Sequence, residues 1–139
     1  MSLAVLKNLS RYDECYTPKD QVLPLLEYLD KDKTYYEATS GISSQIVDGF
    51  EKYEYNIVPS KKRDFFTCGA DDVYDGVVTN PPYSTKDLFI EYCYKLGKPF
   101  ALFLPVASMQ GGKRGQMFME YGMSCLVYNY RVDFTGGGS

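Results

Sequence analysis

From Phe100 to Val106 the chain carries no polar side chain, and a run of that length reads as a central strand covered on both faces. Other apolar segments take their place around it. Val22, Leu25, Leu26 and Leu29 recur at helical spacing over Lys19 to Leu29, with Thr17 as N-cap and Pro18 at the first helical position. Pro24 falls inside that pattern, so the first turn is distorted or the helix begins later. Thr34 to Ala38 reads as a short strand, followed by the small-residue loop Thr39-Ser40-Gly41-Ile42-Ser43-Ser44 and a helix from about Ser44 to Tyr53 carrying Ile46, Val47 and Phe50. Tyr55 to Val58 is a second strand, Asp64-Phe65-Phe66 a short, partly buried element, and Val73 to Thr79 a strand that delivers Asn80.

A helix then starts near Ser84 or Thr85 and places Leu88, Phe89, Tyr92, Cys93 and Leu96 on one side before Gly97 ends it. After the apolar run, Gly111 and Gly112 beside Lys113-Arg114 read as a flexible basic loop, Gly115 to Tyr121 as a short helix, and Ser124 to Phe134 as a long last strand. The first 14 residues look polar and irregular after a short apolar start, and Met1-Ser2-Leu3 resembles an added tag. Strands alternating with helices predict an α/β fold, a mostly parallel sheet with helices on both faces. At 139 residues the chain is expected to form a single domain spanning 1–139, without a separate target-recognition domain.

Composition removes several chemistries. There is no histidine, which excludes Ser/His triads, imidazole general bases and the commonest zinc ligand. Cys15, Cys68, Cys93 and Cys125 are widely spaced, without a Cys-x-x-Cys pair; this predicts reduced, mostly buried thiols and no metal site. No apolar run approaches membrane-spanning length and no signal core opens the chain, so the expected location is cytoplasmic and no membrane partner is expected. With a net charge of −3, any nucleic-acid contact must rest on a local basic patch. Lys61-Lys62-Arg63 and Lys113-Arg114 are the candidates for phosphate contacts, against the alternative of solvated loops.

The most specific chemistry lies in Asp75-Gly76-Val77-Val78-Thr79-Asn80-Pro81-Pro82-Tyr83-Ser84. Two prolines cannot continue a sheet ladder, so the chain leaves the sheet just after Asn80 and holds its amide at a strand's carboxyl end. Ligands of open α/β sheets bind beyond those ends. A strand followed by an ordinary proline turn is the plain alternative. Upstream, a strand, a small-residue turn and a helix make a nucleotide-binding type of beginning, although with a single glycine the loop by itself reads sooner as an ordinary strand-to-helix turn.

Asn80-Pro81-Pro82-Tyr83 resembles the catalytic tetrapeptide of the S-adenosylmethionine-dependent amino-methyltransferases, especially DNA N6-adenine methyltransferases and their small phage or prophage relatives. Tyr16-Thr17-Pro18 is similar to the N-terminal cofactor motif of that family, Glu37 through Gly41 stands where its glycine-rich loop belongs, and Asp64-Phe65-Phe66 where an element contacts the cofactor's adenine. Leu104-Pro105 falls where a later family strand ends. Ser43 replaces a second loop glycine, and no acid near Ser60 matches the residue that usually binds the ribose.

The resemblance implies a Rossmann-like methyltransferase fold, with a shortened version lacking the terminal hairpin strand left open. It implies S-adenosyl-L-methionine as cofactor, held by Tyr16, Thr17, Glu37, Gly41, Asp64 and Asn80. The implied reaction is methylation of the exocyclic N6 amine of adenine in DNA or RNA, with Asn80, Pro81, Pro82 and Tyr83 as catalytic residues. A protein partner or a second copy would supply target recognition. Similar tetrapeptides serve enzymes acting on protein glutamine or guanine N2, and a degenerate, non-catalytic binding module is the alternative from a different class.

The adenine amine is a weak nucleophile because its lone pair is delocalised into the ring. The Asn80 side-chain oxygen and the Pro81 carbonyl can each accept one N–H bond and localise that pair, while Tyr83 stacks on the base. No histidine is required.

Overall fold

Alternation inside the apolar run decides which face of the sheet each residue serves. In the computed structural model, which describes residues 2–7, 19–41, 44–68 and 74–128, the strand β5 (Phe100–Pro105) is buried at every position. Phe100, Leu102 and Leu104 enter one core cluster and Ala101 and Phe103 the other. The same two-residue period divides Tyr36 from Tyr35 on β2 (Thr34–Glu37) and Val77 from Val78 on β4 (Gly76–Thr79). Each of these strands is thus covered twice, which is why β5 is apolar throughout and β2 and β4 carry apolar pairs at their centres.

Two further strands, β1 (Ser2–Lys7) and β3 (Asn56–Pro59), and a last one, β6 (Ser124–Val127), complete a six-stranded sheet in the order β3-β2-β4-β5-β1-β6. All its pairings are parallel. The helices are α1 (Leu23–Leu26), α2 (Gln45–Lys52), α3 (Phe65–Cys68), α4 (Lys86–Leu96) and α5 (Gly112–Tyr121). Their placement follows from the right-handedness of parallel crossovers. Connections that run one way along the sheet put their helices on one face, and those that run the other way on the opposite face. The steps β1 to β2 and β2 to β3 run one way, and α1 and α2 supply Leu25, Leu26, Ile46 and Phe50 to one core. The steps β3 to β4, β4 to β5 and β5 to β6 run the other way, and α3, α4 and α5 supply Phe65, Phe89, Ile90, Cys93 and Met117 to the other.

Several expectations change. Residues 1–14 are not irregular throughout and Met1-Ser2-Leu3 is not simply a tag, because Ser2–Lys7 is a strand lodged between β5 and β6. Its local signal is only Leu3-Ala4-Val5-Leu6; the pairings Leu3 with Ala101 and Leu3 with Ser124 that define it are remote in sequence. The first helical segment is a 3-10 turn over Lys19–Val22 followed by α1, with Pro24 in the first turn, where a missing N–H costs little. On α4, Leu88 is exposed and Ile90 takes its place in the core. Thr85 precedes α4 without a side-chain capping bond, the 3-10 turn Tyr83–Thr85 leading in instead. Gly97 closes α4 in the left-handed conformation, as read from the sequence. Lys113 and Arg114 belong to the first turn of α5 and not to a loop. The final strand is formed over Ser124–Val127, and its expected extension past Tyr128 lies outside the described residues.

Close packing reaches the backbone beneath the central motif. A Cβ on Gly76 would stand 2.9 Å from the Pro99 carbonyl oxygen and 3.1 Å from the Tyr35 ring, so glycine lets β4 seat against its neighbours. Among the described residues, no helix is long and apolar enough to cross a membrane.

Candidate functional site

The connections from β2 and β4 depart in opposite directions, β2 toward β3 and β4 toward β5, although the two strands are paired neighbours. Their carboxyl ends therefore open a crevice at the point where strand order reverses, the usual ligand position in open α/β sheets. Glu37 to Gly41 leaves the sheet on one side of it, and Asn80 to Tyr83 on the other.

Glu37 ties the two sides together. It is 2% exposed. Its Oε1 accepts from Thr79 Oγ1 at 2.5 Å, the Thr39 N–H at 3.0 Å and Thr39 Oγ1 at 3.3 Å, and its Oε2 accepts from Ser44 Oγ at 2.7 Å. Ser44 also accepts from the Val47 N–H at 3.2 Å, so the hydroxyl that caps α2 is the one that holds Glu37. Thr39 Oγ1 lies 2.7 Å from Thr79 Oγ1 and 3.4 Å from the Asn80 carbonyl oxygen, bracing the residue before the tetrapeptide. Loss of solvent raises the Glu37 carboxyl above its ordinary value, against the opposing pull of these four donors.

The tetrapeptide is graded from inside to outside: Pro81 is buried, Asn80 and Pro82 are half-buried, and Tyr83 is exposed. Its carbonyls are committed unequally. Thr39 Oγ1 reaches that of Asn80, the Thr85 N–H that of Pro82 at 3.2 Å, and the Lys86 N–H that of Tyr83. Pro81 keeps the one carbonyl of the four that receives no donor among the described residues.

Gly41 adopts φ +62°, a conformation that favours glycine. Its N–H donates to Ser60 Oγ at 2.9 Å, the Ser60 N–H donates to Ser40 Oγ at 2.8 Å, and the Lys61 N–H donates to the Gly41 carbonyl at 2.5 Å. Ser60, which stands where a ribose-binding acid was sought, is 2% exposed and fastens the loop to the end of β3. Ser60→Ala is expected to destabilise the fold by about 1–3 kcal/mol, because it strands the Gly41 N–H. Urea titration of the two proteins measures this.

The other predicted residues sit apart. Asp64 Oδ1 accepts the Phe66 N–H at 3.0 Å, which starts α3, and Phe65 stacks on Phe89 with ring centroids 5.5 Å apart. Lys61, Lys62 and Arg63 are exposed on the turn after β3. Lys113 pairs with Glu91 at 2.9 Å, which holds that carboxyl below its usual range. Arg114 donates to Asp87 at 2.9 Å, the Ser108 carbonyl at 3.1 Å and the Gln110 carbonyl at 2.5 Å. The two basic residues on α5 thus bind α4 and the preceding turn. Tyr16 and Thr17 lie outside the described residues.

Sequence reasoning missed the hydroxyl set Thr39, Ser44, Ser60 and Thr79, whose signal was the run of small hydroxyl residues around Gly41 and the threonine just before Asn80. It also missed Lys86, whose ammonium lies 3.9 Å from the Tyr83 ring centroid. Among the described residues, no three His, Cys, Asp or Glu side chains are grouped to hold a metal ion. Comparison with known proteins found no matching family model, no matching curated protein and no matching solved structure.

Proposed function

We propose that the chain is an S-adenosylmethionine-dependent methyltransferase of Rossmann-like fold that methylates the N6 amine of adenine in nucleic acid. The observation that carries this reading is the position of Asn80-Pro81-Pro82-Tyr83 at the reversal point of the sheet, bonded through Thr79 and Thr39 to the buried Glu37 at the foot of the facing loop.

The character of that loop supports the cofactor assignment. Cofactors with phosphates are held by backbone N–H groups aimed at the ligand. Here the Gly41 N–H is turned onto Ser60 and the acid Glu37 stands at the base of the crevice. A cationic nucleoside without phosphates fits that donor set better than a dinucleotide. Glu37 and Gly41 would shape its pocket, with Asn80 on the opposite wall. When bound, the cofactor supplies an electrophilic methyl group on a positively charged sulfur.

The chain's own residues then act on the amine. Asn80 Oδ1 and the Pro81 carbonyl accept its two N–H bonds, which turns its lone pair out of the ring and toward the donor. Once the amine has taken the methyl group, its surplus proton would leave the nitrogen along one of these acceptors to water. Tyr83, exposed directly after the prolines, offers a face on which the base can stack. Isothermal calorimetry tests the cofactor assignment. S-adenosylmethionine is expected to bind and ATP not to; no heat with S-adenosylmethionine at millimolar concentration would overturn the reading.

A further inference from the structure

Lys86 is the first residue of α4 and stands three positions after Tyr83, the last residue of the tetrapeptide. A cation at a helix's positive end is electrostatically disfavoured unless an anion compensates it. None lies within ion-pair reach of Lys86 among the described residues, and Asp87 beside it is held by Arg114 at 2.9 Å. The Lys86 ammonium rests instead 3.9 Å from the Tyr83 ring centroid and donates to the Tyr83 carbonyl at 3.3 Å. The cation is therefore held by an aromatic face and one neutral oxygen, contacts that leave its charge uncompensated.

We propose that Lys86 binds the backbone phosphodiester next to the methylated base, moving off the Tyr83 ring as the base stacks there; this rests on the function proposed above. A nucleotide presents a flat ring and an anion separated by a single sugar. Tyr83 and Lys86 present the complementary pair, an aromatic face and an ammonium on a flexible four-carbon stem. The pairing has a consequence for the free protein, since the same cation that will meet the phosphate meanwhile covers the ring that will meet the base. This places the nucleic-acid contact beside the tetrapeptide, whereas Lys113 and Arg114 are engaged by α4.

The test is the salt dependence of binding to a fluorescent single-stranded oligodeoxynucleotide containing adenine, measured by anisotropy for the wild type, Lys86→Met and Lys86→Arg. Loss of one phosphate contact is expected to reduce the slope of log K against log salt by about 0.7 in Lys86→Met. Lys86→Arg is expected to retain the wild-type slope. A structural role alone would change thermal stability and leave the slope unaltered. If the wild type transfers labelled methyl to nucleic acid but Lys86→Met keeps its full slope, the Lys86 assignment is overturned and the methyltransferase reading stands. If the wild type transfers none to any acceptor, the reading itself falls and the Lys86 assignment with it.

Discussion

Asn80→Ala is expected to lower methyl transfer by about 10²–10³-fold, the scale of removing one preorganised hydrogen bond to a transition state. The substitution deletes the acceptor that holds one N–H of the target amine and leaves the Pro81 carbonyl to hold the other. Cofactor affinity should fall far less than transfer, because Glu37 and Gly41 on the facing loop keep the bonds that place them. The bond from Thr39 goes to the Asn80 backbone carbonyl and is retained in the variant. Single-turnover transfer of labelled methyl, with calorimetry on the same variant, measures both sides of this expectation. Wild-type activity in the variant would remove Asn80 from the reaction.

Glu37→Ala is expected to be the most destabilising polar substitution at the site, costing about 3 kcal/mol or more, because the Thr39 N–H and three hydroxyls lose their shared acceptor in a buried position. Glu37→Gln should cost less, since an oxygen remains for Thr79 and Thr39. Its amide would meet Ser44 with a second donor.

The same carboxyl gives stability a pH dependence of known sign. Burial raises its pKa in the folded protein above the ordinary 4.5, so over the interval above that value the folded chain holds a proton that the unfolded chain has released. Its contribution is complete below pH 4.5 and is lost as pH rises through the raised value, at up to about 1.4 kcal/mol per pH unit. Urea denaturation from pH 4 upward should show the stability of the wild type falling relative to that of Glu37→Gln as pH rises. Equal slopes in the two proteins would show that Glu37 is not perturbed in the folded state.

Much of the sheet could be read from local pattern because its central strands are buried twice. Phe100 to Pro105, Val77-Val78 and Tyr35-Tyr36 are apolar on both faces for that reason, and no helix of similar length would need to be. The strand over Ser2–Lys7 escaped because its short apolar run becomes a strand only through pairing with β5 and β6. Lys113 and Arg114 looked like a loop because two glycines precede them. In the fold Gly111, at φ +132°, opens α5, and a Cβ there would come within 2.9 Å of the Arg114 guanidinium.

The site was legible in its catalytic half for a related reason, since consecutive prolines after an amide allow few structures. The supporting half depends in part on side chains remote in sequence, 40 residues apart for Thr39 with Thr79 and 42 for Glu37 with Thr79. Those pairs exist only because β2 and β4 are neighbours across a strand-order reversal. Ser60 shows the limit most clearly. In the sequence it marked a missing acid, whereas in the fold it is the residue that sets the direction of the Gly41 N–H.

The central claim is tested most directly by incubating the protein with DNA and S-adenosylmethionine carrying a labelled methyl group, digesting the DNA to nucleosides and identifying the labelled product by mass spectrometry. The account predicts label on N6-methyl-2′-deoxyadenosine, formed about 10²–10³-fold more slowly with Asn80→Ala. Label confined to guanine N2 or to protein glutamine, or cofactor binding with no label transferred to any acceptor, would contradict it.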